Sequence, residues 1–131
     1  MKLFSFISCF LLCIIISAAL INADNCLVPG PVKDAFKEGN TQVISGYCCE
    51  NVELSIFGKE GQYTKEKFEE ALKEFFEKHT PRLFVIIFEG GKECSQYAIG
   101  KLTTDKGAYR INLIIKSGVI QQVKIEMYNE D

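Results

Sequence analysis

The sequence predicts an α+β domain: about three helices packed on one face of a curved, mainly antiparallel sheet. Three observations carry this. Phe68, Ala71, Leu72, Phe75 and Phe76 recur at helical spacing. After Pro81 the chain holds only apolar or alternating runs, separated by short turn signals, which is the pattern of an antiparallel meander. The order helix, helix, strand, helix and then four strands segregates helices from strands instead of alternating them.

Taken in order, Pro29, Gly30 and Pro31 open a short helix, proline being suited to a first turn. Val32, Ala35 and Phe36 form its apolar face, and Gly39-Asn40 ends it. Asn40 or Thr41 caps a second helix with the stripe Val43, Ile44, Tyr47 and Cys48. Asn51 to Phe57 alternates, with Val52, Leu54 and Ile56 on one face, and reads as a strand. Gly58 to Gly61 turns, and Gln62-Tyr63 resumes an extended path. Thr64 caps the main helix, with Glu66, Glu69 and Glu70 toward its start and Lys78 and His79 at its end, as the helix dipole favours. Thr80-Pro81 stops it. Strands follow over Leu83–Phe88, Gln96–Thr103, Ala108–Lys116 and Val119–Tyr128.

The N-terminus reads as an address. Met1-Lys2 is followed by an apolar run from Leu3 to Ile16 and then by small residues up to Ala23, the pattern of a secretory signal peptide. Residues 1–23 are therefore expected to leave, and 24–131 to form one domain. An uncleaved membrane anchor is the competing reading. Cleavage after Ala23 leaves 108 of the 131 residues and, with Lys2 gone, a formal charge of −3 in place of −2. No later run is long and apolar enough to span a membrane, so the exported chain is expected to be soluble, periplasmic or extracellular. At 47% hydrophobic and 24% charged residues it is too apolar for a disordered tail. It has no basic run with which to bind nucleic acid.

Four cysteines survive cleavage: Cys26, Cys48, Cys49 and Cys94. Export permits disulfides, and the candidates are Cys26, Cys49 and Cys94, with the pairing left open. Cys48 lies on the apolar stripe of the second helix and reads as buried. Cys49 lies about 100° round that helix and is freer to react. A zinc site with His79 as fourth ligand is the sharper alternative, but no C-x-x-C is present, and no metal or cofactor is expected.

Val52-Glu53-Leu54-Ser55-Ile56, Tyr63-Thr64-Lys65, Phe75-Phe76 and above all Tyr97-Ala98-Ile99-Gly100-Lys101-Leu102-Thr103-Thr104 carry a family resemblance. Gly107, Tyr109-Arg110 and the run Ile120 to Glu126 extend it over most of the exported chain. These segments resemble domain-of-unknown-function family 4783, secreted bacterial proteins with a nuclear transport factor 2-like fold, a cone of bent sheet around a long helix. The resemblance implies a fold and a compartment, and no activity. Cys48, Cys49 and Cys94 are not part of the family pattern.

Enzymes of this fold place an acid or base inside the cone. Strict alternation puts Tyr109, Ile111, Leu113 and Ile115 on one face of their strand. In the last strand it groups Val119, Gln121, Val123, Ile125 and Met127. Neither set contains Asp, Glu, His or Lys, so no catalytic residue is expected. His79, the single histidine, reads as a helix-end residue. Tyr47, Tyr63, Tyr97 and Tyr109, each an apolar ring with a polar tip, are the candidate ligand-binding residues. Leu83–Phe88 is apolar on both alternations, and its outer face needs cover, which a homodimer through that face would supply. The sequence thus points to an exported, non-enzymatic module for a small apolar ligand or an envelope protein partner. The alternative is an isomerase- or hydrolase-like enzyme using His79 with a carboxylate such as Glu53.

Overall fold

The computed structural model describes residues 27–130. The cleavage site at residue 23 and Cys26 lie outside the described residues.

Helix α1 spans Gly30–Glu38, with proline in its first turn and Val32, Ala35 and Phe36 buried. Gly39 closes it in the left-handed region at φ 71° and packs against Pro81, leaving little room for a Cβ. Helix α2 spans Thr41–Gly46, and it is the Asn40 side chain that caps it, accepting from Val43 N at 3.2 Å. The second helix is shorter than its stripe suggests. Gly46 weakens it, and Cys48 begins strand β1 (Cys48–Ile56) because Ile120 N donates to Tyr47 O at 2.7 Å and draws the chain into the sheet. The expected burial of Cys48 survives this change of element. Its thiol donates to Ile44 O at 3.3 Å.

Strand β2 (Lys59–Thr64) is a full partner of β1, so the sheet has six strands rather than the one-plus-four of the sequence reading. Helix α3 (Lys65–Lys78) follows at once, with Thr64 Oγ1 accepting from Lys67 N and Phe68, Leu72, Phe75 and Phe76 buried. Strands β3 (Pro81–Lys92), β4 (Ser95–Thr104), β5 (Gly107–Lys116) and β6 (Val119–Met127) form the expected antiparallel meander. The sheet order is β2-β1-β6-β5-β4-β3. Strand β1 pairs in parallel with β6, which makes it an interior strand joining the N-terminal hairpin to the meander.

Register shifts decide which side chains face the core. Gln121 is an extra residue in β6, since Ile114 pairs with Gln122 but Ile115 with Ile120. The shift turns Ile120 into the core (0% exposed) and leaves Val119 37% exposed, reversing the assignment that strict alternation makes for both. Ile87 plays the same part in β3, between the pairs Ile86–Gly100 and Phe88–Ile99. Such bulges bend and twist the sheet around the helices. In the core Phe36 stacks on Phe84 at 4.9 Å. The Phe84 ring lies over Gly100, where a Cβ would come within 2.2 Å of it, so glycine is required there for the ring to seat.

Candidate functional site

The chemistry-bearing feature is a cleft of about 300 Å³ between the β1–β2 hairpin and the second half of α3. Its apolar lining comes from Leu54 and Ile56 on β1 and Ala71 and Phe75 on α3, with Phe57 and Tyr63 supplying further aromatic surface. Lys59, Glu74, Lys78 and His79 provide the polar groups.

Local rules build each wall. Leu54 and Ile56 are two apart on a strand and share a face, while Ala71, Glu74, Phe75 and Lys78 share a helix side by their spacing of three and four. Phe57 and Gly58 are the two central residues of the hairpin, both at positive φ (50° and 85°), the backbone of a type I′ turn. A bulky residue seldom takes this conformation. Phe57 N donates to Ile125 O at 3.0 Å, and the Phe57 ring lies 6.1 Å from Phe75, 5.7 Å from Tyr109 and 6.2 Å from His79. The hairpin tip is thus held by a ring cluster.

His79 is the C-cap of α3, as its position at the helix end suggests. Its ring stacks on Phe75 at 4.4 Å and meets Tyr109 edge-on at 5.0 Å. Nδ1 lies 2.9 Å from Phe75 O. A carbonyl only accepts, so Nδ1 carries the proton and no carboxylate orients the ring through that nitrogen. Glu53, the suggested partner, is exposed and pairs in register with Gln62 and Gln122, while its neighbour Leu54 lines the cleft. Successive strand residues face opposite sides, so Glu53 points away from His79 and the pair is not assembled.

The four tyrosines do not meet. Tyr63 lines the cleft, its ring lying over Gly61. Tyr109 is 4% exposed and backs His79. Tyr47 is half-buried at the α2–β1 junction. Tyr97 is 39% exposed on the outer sheet face, 6.4 Å from Phe88. A binding surface joining Tyr97 to Tyr109 is therefore excluded: adjacent strands pair Tyr97 with Ile114 and Tyr109 with Leu102, so the two side chains stand on opposite faces.

Cys49 is corrected as a disulfide candidate. It is a half-buried free thiol on β1, donating to Asn51 O at 3.2 Å. Cys48 is also free, and burial, reinforced by the neighbouring Cys49, pushes its thiol up to about 12 against a smaller opposing effect of Lys65. Cys94 is disulfide-bonded. It occupies the tight β3–β4 turn, where Glu93 and Cys94 have φ of 51° and 62°. Among the described residues no cluster of three or more His, Cys, Asp or Glu side chains could hold a metal ion.

The buried residues of β5 are Tyr109, Ile111, Leu113 and Ile115 and those of β6 are Ile120, Val123 and Ile125, but β3 brings a carboxylate to the core side of the sheet. Beyond the bulge at Ile87 the parity of β3 reverses, and Glu89 pairs with the fully buried Ala98. Glu89 Oε1 and Gln96 Oε1 are both out of contact with solvent and without a hydrogen-bond partner. Neither lines the cleft. Strict alternation from Phe84 predicts the opposite face for Glu89, so only the strand pairing reveals it.

A family profile described as "Domain of unknown function (DUF4783)" matches residues 30–126, from α1 almost to the end of β6. The chain belongs to the DUF4783 family. A DUF4783 structure from Bacteroides uniformis is 32% identical, with a TM-score of 0.71 over 79% of this chain and 100% of that one. One from Bacteroides ovatus is 31% identical, with a TM-score of 0.72 over 79% and 97%. A bacterial protein with a cystatin-like fold from Silicibacter pomeroyi is only 12% identical, with a TM-score of 0.59 over 80% and 77%. It shares the fold alone, the α+β architecture common to cystatin-like and nuclear transport factor 2-like proteins. No curated protein matches the chain.

Proposed function

We propose that this DUF4783 protein is an exported, non-enzymatic module that holds a small apolar ligand in the cleft between the β1–β2 hairpin and α3. One observation carries the reading: a cleft of about 300 Å³ whose walls are mainly apolar and aromatic, with a few polar groups at its margin. Binding pockets have this composition, and this one lies at the small end of their usual range of about 300–1,000 Å³. The separation of His79 from Glu53 across β1 argues against the general acid–base alternative. The N-terminal signal pattern and the oxidised Cys94 support export. A fragment screen read by amide chemical shifts tests the binding claim. Hits should perturb Tyr63, Phe75 and His79 and should be lost in Ala71→Trp, which fills the cleft. Screening without a single cleft-directed hit would remove the reading.

The outer face of β3 supports a second element of this function, a homodimer. Leu83, Val85 and Ile87 are about half exposed (49%, 46% and 50%), and Phe88 and Tyr97 continue the patch. Strand β3 is also an edge of the sheet. A second copy packed on this face would cover apolar surface that a solitary chain leaves to water.

A further inference from the structure

The charges around the cleft say which kind of small molecule it suits. Lys78 is paired with Glu74, four residues earlier on α3, at 3.0 Å. Glu74 is the single carboxylate in the lining and is already engaged, so a cationic ligand finds no free counter-charge. Lys59 makes no ion pair among the described residues. The cleft margin therefore carries an unpaired positive charge at its β2 side. At its other side the carbonyl end of α3 is partially negative, and the lysine of its last turn, Lys78, is already paired with Glu74. An anion is favoured toward Lys59 and disfavoured toward the helix end, which gives the site a direction.

Volume sets the size of the apolar body. A cavity of about 150 Å³ holds a benzene molecule, so about 300 Å³ suits one ring with a short chain. The ring has aromatic surface to meet at Phe75 and at Tyr63, whose own ring is seated over Gly61, where a Cβ would come within 3.0 Å. We propose that the cleft takes a small amphipathic acid, its ring or branched apolar body lying between Tyr63 and Phe75 and its carboxylate at Lys59. This rests on the cleft-binding reading above and adds the ligand's chemical class and orientation.

The test is a calorimetric and amide-shift titration of the purified protein with three isosteric probes: 3-phenylpropanoate, its neutral amide, and 3-phenylpropylamine. The acid should saturate with shifts at Tyr63, Phe75 and His79. The amide should bind about tenfold more weakly, a difference of about 1.4 kcal/mol, and the amine more weakly still. Lys59→Gln, an exposed position, should bring the acid down to the affinity of the amide and leave the amide unchanged. Equal binding of acid and amide, or an unchanged acid in Lys59→Gln, overturns the acid assignment while leaving the cleft as a binding site. Failure of all three probes to move the cleft resonances overturns both.

Discussion

Two neighbouring cysteines illustrate how much a single position decides. Cys48 is sealed in the core and Cys49 is half-buried on the next position of the same strand. An alkylating reagent on the native protein should label Cys49 and spare Cys48 until the chain is unfolded, which peptide mass mapping would show. The raised Cys48 value also has a thermodynamic consequence. Between the ordinary 9.0 and about 12, the folded protein keeps a proton that the unfolded thiol has lost. Stability should therefore fall as pH rises through that window, by at most about 1.4 kcal/mol per pH unit from this group. Urea unfolding across the window should show a shallower decline for Cys48→Ala than for the wild type. Gly100 makes a second residue-scale case. Gly100→Ala drives a methyl into the Phe84 ring and should cost about 1–3 kcal/mol by the same measurement. The glycine is visible in the sequence, but the ring that rests on it comes from another strand.

At the scale of elements, α3 was legible because its period, its Thr64 cap and its end at Thr80-Pro81 all agree. Thr64→Ala should remove the bond to Lys67 N and lower stability by about 1 kcal/mol, checked by thermal denaturation. The later part of the meander was legible for a similar reason, because short turns tie β4 to β5 and β5 to β6. Strand β3 instead runs past its expected end at Phe88 to Lys92, so its turn falls at Glu93-Cys94. What escaped were the places where pairing breaks the period. The extra residue Gln121 exchanges the roles of Val119 and Ile120, and the extra residue Ile87 brings Glu89 round to the face of Ala98. Helix α2 stopped short of Cys48 because a bond from β6 competes with its own continuation.

At the scale of the molecule, the outer face of β3 makes a prediction about assembly. If a second copy covers that face, light scattering after size exclusion should give twice the monomer mass. Val85→Lys, which places a charge in the exposed patch, should return a folded monomer. A monomeric wild type at high concentration would set the dimer aside without touching the cleft, which lies elsewhere on the chain.

The sequence by itself determined the α+β class, the order of the helices and of the last four strands, the cap of α3 and the apolar faces of β1 and β5, because these depend on periodicity and on bonds between near neighbours. It also named Tyr63 and His79, though without the reason they belong together. Only the tertiary structure decided that β1 runs beside β6, that Glu53 and His79 are divided by a strand, and that Phe57 and Lys59 border the same cleft as α3. Those facts depend on which distant segments pair and where an extra residue slips between them, and no local pattern encodes either.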